Sequence, residues 1–308
     1  MGILEKLRSR LNRAGIKPSI RRGQNFLLDT NQLGFIVDAA RLGPKDVALE
    51  VGPGTGFLTR RIAKTGCLLL AVELDRGLLP LAMEETDGLP NVFYLQGDIL
   101  AGKNAVNPEV LAKLVELLAI KQKLLDEAAA GEATGDAVLK CVSNLPYSAG
   151  TPFVMNLLAS RLPWRTGVFL LQKEVAERIC AKPGGKDYGA LSIGATLAAE
   201  TTLERVVQPQ CFWPRPNVES AVIRMEFIPL AERMVIPWVG LRRIASAVFG
   251  SRRKTLRNAL KGVYANREAA DVLVEAELDP GCRGETLTPE EFARLAALWE
   301  KAEAARAL

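Results

Sequence analysis

The stretch ALEVGPGTGFLTR, at residues 48–60, decides the fold of this chain. Its apolar beginning predicts a buried strand and its end predicts a helix, with three glycines in the turn between them. Gly52, Gly54 and Gly56 lack the β-carbons that keep a ligand away from the backbone. The motif departs from the dinucleotide fingerprint because Phe57 stands where that pattern has its third glycine, which disfavours a phosphate cradle. Tight turns also use glycine for geometry alone, so this motif does not identify the ligand.

The sequence around this motif alternates short apolar runs with helical patterns, which is typical of an α/β fold with a parallel sheet. Strands are predicted at residues 47–51, 68–72, 92–96, 138–143 and 168–172, with closing strands at 201–207 and 218–227. Helices are predicted at residues 31–40, 57–65, 78–86, 152–162 and 173–181.

Two regions depart from this alternation. Residues 103–137 have a helix-rich composition between two strands, so we expect an inserted helix or helical pair. After residue 229 the strand pattern stops, and helical periodicity continues to the end of the sequence. We therefore expect a first domain at residues 1–229, which begins with a basic arm at 1–24, and a small all-helical domain at 230–308.

The composition excludes several classes of site. The 308 residues include no histidine, which rules out Ser-His-Asp and Cys-His catalysis as well as histidine-ligated metals. The five cysteines form no CxxC pair, so we expect reduced thiols, no resident metal and a cytoplasmic location. No apolar run is long enough to span a membrane.

Positive charge is concentrated in two segments, although the net charge is only +5. Residues 1–24 carry seven basic residues against Glu5, and residues 242–258 carry six basic residues and no acidic one. The rest of the chain is net acidic, so these clusters indicate a polyanionic partner, nucleic acid before membrane. Solvated faces without a partner also contain such runs. The residues predicted to contact such a nucleic acid are Arg21, Arg22, Arg252, Arg253, Lys254 and Arg257.

Two carboxylates follow the next strands in positions that suit a nucleoside. Glu73 ends the second predicted strand, where an acid can accept hydrogen bonds from both ribose hydroxyls. Asp98 follows the third strand and offers an acceptor for an adenine amino group. Parallel strands end at one edge of the sheet, so we expect both acids beside the glycine turn. Either acid alone is more often a helix cap or a surface residue.

The fourth strand ends in Asn144-Leu145-Pro146-Tyr147, the most informative motif of the chain. The side-chain oxygen of Asn144 and a backbone carbonyl held by Pro146 can accept both hydrogens of an exocyclic amine. This geometry draws the nitrogen lone pair out of conjugation, so the amine becomes nucleophilic without a general base. Tyr147 supplies a face on which a flipped base can stack. We predict that these three residues are catalytic, whereas the tetrapeptide in isolation also fits a turn beside a core tyrosine.

Taken together and in order, the motifs resemble those of the small-subunit (16S) ribosomal RNA adenine dimethyltransferases, the kasugamycin-resistance type of dimethyladenosine transferase. The segments that carry the resemblance span residues 17–300 and include GQNFLLD (23–29), LEVGPGTGFLT (49–59), VELD (72–75), GDIL (97–100), NLPY (144–147), QKEVAERI (172–179), YGALSI (188–193), FWPRPNVESAVIRM (212–225), FGSRRKTLRNAL (249–260) and ETLTPEEFARLA (285–296).

The resemblance implies a Rossmann-like class I methyltransferase sheet with a small C-terminal helical domain, and S-adenosyl-L-methionine as cofactor. The implied reaction places methyl groups on the N6 amino groups of two adjacent adenosines near the 3′ end of small-subunit rRNA, during ribosome biogenesis. Phe212 and Trp213 are implied as the second wall of the base pocket. The implied cofactor pocket consists of Asn25, Leu27, Gly52, Gly54, Glu73, Asp98 and Asn144.

The sequence also departs from the family pattern and fits three rival functions in part. The departures are the 103–137 insert and the bulky Cys211 and Trp213. A dinucleotide oxidoreductase would explain Gly52 and Glu73 but not the Asn144 motif. A non-catalytic ribosome-assembly factor on the same fold is the second rival, and a large-subunit rRNA methyltransferase of the antibiotic-resistance type is the third. We expect a monomer whose partner is small-subunit rRNA.

Overall fold

In a computed structural model of the chain, the glycine-rich motif joins a buried strand to a helix. The structure describes residues 2–18, 24–102, 105–128, 135–147, 149–264 and 267–306. The strands are β1 (Phe26–Leu27), β2 (Asp46–Val51), β3 (Leu68–Glu73), β4 (Val92–Gln96), β5 (Val138–Asn144), β6 (Trp164–Gln172), β7 (Ala199–Val207), β8 (Phe212–Trp213) and β9 (Ser220–Phe227). The helices are α1 (Ile3–Arg13), α2 (Thr30–Ala40), α3 (Phe57–Ala63), α4 (Leu78–Glu85), α5 (Pro108–Ala128), α6 (Gly150–Leu158), α7 (Lys173–Ile179), α8 (Ala190–Ala198), α9 (Leu230–Met234), α10 (Trp238–Phe249), α11 (Leu256–Ala259), α12 (Ala269–Glu275) and α13 (Pro289–Arg306).

The main sheet of the described residues has seven strands in the order β4-β3-β2-β5-β6-β9-β7. The pairs from β4 through β6 are parallel, and β9 runs antiparallel to β6. Every residue of β2 and β3 is buried, which accounts for their nearly continuous apolar sequences. The predicted α/β fold with a largely parallel sheet is confirmed.

The strand order creates a crevice beside β2. The chain runs outward from β2 to β3 and β4, and then returns to β5 on the other side of β2. Open α/β sheets bind ligands at the carboxyl ends of the strands where the order reverses in this way. Gly52, directly after β2, and Asn144, the last residue of β5, lie at this edge.

A second, two-stranded sheet was not predicted from the sequence. β1 pairs antiparallel with β8, and Phe26 lies opposite Trp213 while Leu27 lies opposite Phe212. The pairing continues as the Leu28 amide donates to the Cys211 carbonyl at 2.8 Å. Strands of two residues carry too little periodicity to be recognised in a sequence.

The contacts divide the chain into two compact units. The first unit contains residues 1–176 and 202–227, and the second contains residues 177–201 and 228–308. This division differs from the predicted boundary at 229/230 because residues 177–201 join the second unit. Tyr188 illustrates the reason: it is fully buried in the core of the second unit, and its hydroxyl donates to the Leu287 carbonyl at 2.9 Å.

The segment predicted as an insert contains one helix, α5, within its described residues. Its buried face carries Val110, Leu114 and Leu117, and the helix packs against β2 and β3. α5 is therefore the connection that returns the chain from β4 to β5. Helices α1 and α8 were not predicted. None of the helices in the described ranges is long and apolar enough to cross a membrane.

Candidate active site

A cavity of about 470 Å³ lies at the carboxyl ends of β2 to β5. This volume is typical of small-molecule sites. The cavity brings together the glycine turn and the polar residues that follow the three other strands. Its lining includes all the residues predicted for the cofactor and for catalysis, namely Asn25, Leu27, Gly52, Gly54, Glu73, Asp98, Asn144, Pro146 and Tyr147.

The glycine turn needs its glycines for conformation and for space. Gly52 and Gly54 have φ angles of +70° and +59°, which favour glycine. A β-carbon on Gly52 would lie 3.2 Å from Cγ of Pro146, and one on Gly54 would lie 3.1 Å from the Phe26 ring. Both additions would press on the cavity wall, so the turn keeps the backbone open to a ligand.

Glu73 is tied to the turn by backbone hydrogen bonds. Its carboxylate accepts from the Gly54 amide at 3.0 Å and from the Asp75 amide at 2.8 Å, and the residue is 6% exposed. Burial raises the pKa of Glu73, an effect that these two hydrogen bonds oppose. Each carboxylate oxygen retains a second lone pair for a ligand, as recognition of two ribose hydroxyls requires.

Most backbone amides of the turn already donate hydrogen bonds within the protein. Gly52 donates to the Val72 carbonyl and Gly56 to the Pro53 carbonyl, both at 2.9 Å, while Gly54 donates to Glu73. A pyrophosphate cradle needs such amides for the ligand. This arrangement suits a nucleoside better than a dinucleotide diphosphate.

Asn144 has a fixed amide. Its Nδ2 donates to the Asn25 carbonyl at 3.3 Å, just before β1. With the nitrogen engaged in this way, the acceptor Oδ1 is the amide atom available to a substrate. The N-terminal segment thus orients the side chain predicted to contact the adenine amine.

Pro146 fixes the backbone beside Asn144, and its own carbonyl is not the one open to a substrate. Its own carbonyl accepts hydrogen bonds from the Ala149 and Gly150 amides at 2.9 and 3.0 Å, and it is therefore engaged at the start of α6. The carbonyl that the proline ring constrains is that of Leu145, which forms the peptide bond to Pro146. The carbonyl that the sequence analysis described as held by Pro146 is therefore that of Leu145, and its contact with a substrate amine stays a prediction.

Tyr147 lines the cavity and is anchored at its far end. The phenol oxygen lies 2.7 Å from the hydroxyl oxygen of Ser220, a fully buried residue at the start of β9. Burial raises the pKa of Tyr147, so the phenol is neutral at physiological pH. Ser220 was not predicted, because nothing local in the sequence relates it to Tyr147.

Glu50 is a second residue that sequence reasoning missed. It lies in β2 beside the cavity, it is 1% exposed, and its Oε2 has no hydrogen-bond partner among the described residues. Burial raises its pKa to about 8, and the neighbouring Glu73 carboxylate adds to the rise. The signal in the sequence was an acid inside the apolar run of the deciding stretch.

Asp98 lies at the exposed rim of the cavity. Its Oδ1 accepts from the Leu100 amide at 2.9 Å, and its own carbonyl accepts from the side chain of Asn107. The loop after β4 therefore holds the carboxylate at the cavity, where the sequence placed it.

Phe212 and Trp213 do not line this cavity, contrary to their predicted role. Pairing of β8 with β1 turns Phe212 into the core of the first unit, where it is 4% exposed. Trp213 packs against a cluster formed with α1, and the Arg8 guanidinium lies 5.3 Å from its ring centroid.

The basic residues predicted to bind RNA fall into three groups. Arg21 and Arg22 lie outside the described residues. Arg252 is engaged within the second unit: it donates to the Lys186 carbonyl at 2.7 Å and to the Tyr188 carbonyl, and it lies over the Phe249 ring. Arg253, Lys254 and Arg257 are exposed and form no ion pair with another described residue. The described ranges hold no cluster of acids and cysteines suited to a metal ion.

The sequence matches a known family and several curated proteins over most of its length. The family model described as "Ribosomal RNA adenine dimethylase" matches residues 17–301. The "Ribosomal RNA small subunit methyltransferase A" of Shouchella clausii is 39% identical over 279 residues, which cover 89% of this chain and 86% of that protein. The protein of the same name from Pelotomaculum thermopropionicum is 38% identical over 293 residues, 94% of each chain.

Solved structures show a similar fold. A dimethyladenosine transferase from Plasmodium falciparum aligns with a TM-score of 0.67 at 20% identity, over 89% of this chain and 97% of that one. The 23S rRNA methyltransferase ErmE aligns with a TM-score of 0.56 at 24% identity, over 90% of this chain and 100% of that one.

Proposed function

The chain belongs to the ribosomal RNA adenine dimethylase family, and we propose that its substrate is small-subunit rRNA. It transfers methyl groups from S-adenosyl-L-methionine to the N6 amino groups of two adjacent adenosines near the 3′ end of that rRNA during ribosome biogenesis. The curated relatives that match nearly the whole chain carry the name of a small-subunit methyltransferase, which supports this substrate.

The observation that carries this function is the convergence of two recognition sets on one cavity. Glu73 and Asp98 suit the ribose and adenine of a cofactor, and Asn144 and Tyr147 suit a flipped target base. Neither set alone distinguishes a methyltransferase from another nucleoside-binding protein. An amine acceptor beside a cofactor pocket is what methyl transfer to an adenine amine requires, which supports the proposal.

The residues present fit S-adenosyl-L-methionine. The positive φ angles of Gly52 and Gly54 open the backbone, and a β-carbon at either position would narrow the cavity. The buried Glu73 carboxylate suits the ribose, and Asp98 suits the adenine amino group. When bound, the cofactor supplies a methyl group that its sulfonium charge already activates.

The chain contributes positioning rather than a strong base. Oδ1 of Asn144 and the Leu145 carbonyl accept the two N–H groups of the adenine amine, which keeps its lone pair out of the ring. Attack then needs no prior deprotonation, and the amine proton leaves to water after the nitrogen–carbon bond has formed. Holding the reacting atoms in line accounts for much of the reduction in activation free energy in such a reaction. This chemistry is compatible with a chain that has no histidine.

The second unit docks the RNA through Arg253, Lys254 and Arg257. These side chains are exposed and form no ion pair with an acid of the described ranges. Contacts to phosphates position a protein on RNA without reading its sequence. The choice of adenosine therefore belongs to the first unit. The protein acts as a cytoplasmic monomer in this proposal.

The test is methylation of isolated ribosomal subunits that lack the two dimethyladenosines. The protein is incubated with isotope-labelled S-adenosyl-L-methionine and with small or large subunits, and the modified nucleotides are mapped. Dimethylation of two adjacent adenosines near the small-subunit 3′ end supports the proposal. Modification of the large subunit alone would favour the resistance type, and cofactor binding without methylation of either subunit would favour an assembly factor.

A further inference from the structure

The N-terminal helix α1 lies before residue 17, where the family match begins, yet it is packed into the first unit. Leu7 and Leu11 are fully buried and form a cluster with Phe26, Leu78 and Leu81. Leu78 and Phe26 also line the cofactor cavity. The helix is therefore in direct contact with the wall of the site.

Three of the basic residues of α1 are paired with the acidic end of α4. Lys6 Nζ lies 2.7 Å from Glu85, and Arg10 Nη1 lies 2.9 Å from the same carboxylate. Arg13 pairs with Glu84 at 2.6 Å. Three of the seven basic residues at 1–24, where the sequence suggested a polyanion site, are thus paired with acidic side chains of the first unit.

Arg10 differs from its neighbours because it also reaches the glycine turn. The residue is 4% exposed, and its guanidinium donates to the Thr55 carbonyl at 3.1 Å and to the Leu81 carbonyl. Thr55 stands between Gly54 and Gly56. One buried side chain therefore ties the middle of the turn to the body of α4.

The Thr55 carbonyl is one residue from the Gly54 amide that donates to Glu73. The three glycines of the turn have positive φ angles and donate their amides to Val72, Glu73 and Pro53, but these bonds leave the Thr55 carbonyl itself unrestrained. Arg10 does not line the cavity, so it holds that carbonyl from outside it. A buried, charged donor makes stronger hydrogen bonds than a neutral one.

We propose that Arg10 is a positioning residue for the cofactor: by holding the Thr55 carbonyl it fixes the glycine turn, so that docked α1 is part of the S-adenosyl-L-methionine site. The inference rests on the proposed function of that cavity. The planar guanidinium fork serves Thr55, Leu81 and Glu85 at once, which the single ammonium of lysine cannot do.

The experiment compares Arg10→Ala and Arg10→Lys with Arg13→Ala as the matched control. Arg13 is on the same helix and pairs with the same end of α4, but it makes no contact with the turn. In Arg10→Ala the Lys6 ammonium remains beside Glu85, so that buried carboxylate keeps a cation. Each variant of the full chain is measured by calorimetry for cofactor affinity, below its thermal unfolding, and by kinetics for KM and kcat.

We expect Arg10→Ala to raise the Kd and KM for S-adenosyl-L-methionine roughly tenfold, the scale of one charged hydrogen bond. The kcat at saturating cofactor and the KM for RNA should stay within about twofold, since the reacting residues are untouched. Arg10→Lys should recover part of the affinity, and Arg13→Ala should bind the cofactor like the parent protein.

An unchanged cofactor Kd in folded Arg10→Ala overturns the inference, as does an equal rise in Arg13→Ala. If Arg10→Ala does not fold, Arg10→Lys decides by the same criterion: affinity equal to that of the parent protein overturns the inference. A parent protein that does not bind S-adenosyl-L-methionine contradicts the proposed function, whereas binding that is insensitive to Arg10 contradicts only the role of α1.

Discussion

The phenol of Tyr147 and the hydroxyl of Ser220 share a hydrogen bond of 2.7 Å between residues 73 positions apart in the sequence. Ser220 is fully buried at the start of β9, so its position is fixed by the sheet. The bond sets the direction of a ring that lines the cavity. A stacking surface is useful only if it is already in place when the base arrives.

Ser220→Ala should therefore lower the turnover of RNA roughly five- to tenfold while it leaves cofactor affinity unchanged, because a partly buried phenol loses its partner. Steady-state kinetics and calorimetry measure the two effects. Tyr147→Phe is the matched variant, since it removes the other half of the bond and keeps the ring. Losses that add in the double variant would show that the two residues act independently.

Asn144→Ala should abolish methylation and keep cofactor binding within about tenfold, because its Oδ1 engages the substrate amine. The loss of the Nδ2 hydrogen bond to Asn25 accounts for a modest change in affinity. Calorimetry with S-adenosyl-L-methionine and labelled-methyl transfer to small subunits give the two quantities. Normal turnover in this variant would contradict the assigned role.

Glu73→Ala should weaken S-adenosyl-L-methionine binding by roughly 1.5–3 kcal/mol, the scale of hydrogen bonds to a charged group. The same change leaves the Gly54 and Asp75 amides without their acceptor. Glu73→Gln is the control for this loss, because its amide oxygen still accepts one backbone bond. A dissociation constant unaltered in both variants would remove Glu73 from the cofactor site.

Joint replacement of Arg253, Lys254 and Arg257 by alanine should weaken binding to small-subunit rRNA and reduce its salt dependence. For three lost phosphate contacts, the log–log slope against salt should fall by roughly 2–3. Arg252→Ala is the contrasting variant: its guanidinium holds two carbonyls, so it should lose thermal stability instead. An unchanged slope in the triple variant would show that this surface does not bind RNA.

Glu50→Gln should stabilise the protein more at alkaline than at acidic pH. The folded-state pKa of Glu50 is raised from 4.5 to about 8, so the unfolded chain ionises first as pH rises. The parent protein therefore loses stability between these values, by up to about 1.4 kcal/mol per pH unit, and the neutral glutamine avoids that loss. Thermal unfolding of both proteins from pH 5 to 9 measures the difference, which should level off above about pH 8. A constant difference would mean that Glu50 does not titrate as inferred.

The candidate site residues that end a strand or directly follow one could be predicted from the sequence. Gly52, Glu73, Asp98 and Asn144 each follow a recognisable strand, and the topology of a parallel sheet then brings them together. The family, the α/β fold and the cofactor class inferred from these motifs are confirmed.

What the sequence did not show depends on contacts between distant segments. The bond from Arg10 to Thr55 spans 45 positions, and the charge of α1 looked available because nothing marks Glu84 and Glu85 as its neighbours. Phe212 was assigned to the base pocket because an aromatic residue beside prolines suits either a site or a core. The pairing of Phe212 with Leu27 places its side chain in the hydrophobic core.

The pairing of β1 with β8 can form only late in translation, because the two strands are far apart in the sequence. Phe26 and Leu27 emerge early in translation, but their partners, Trp213 and Phe212, are made only after most of the chain. Until then the side chains of Phe26 and Leu27 lack part of their final packing. Domains generally mature as units during synthesis. A nascent chain arrested before residue 212 therefore carries the glycine turn and every predicted cofactor residue, but it lacks the strand that pairs with Phe26 of the cavity wall.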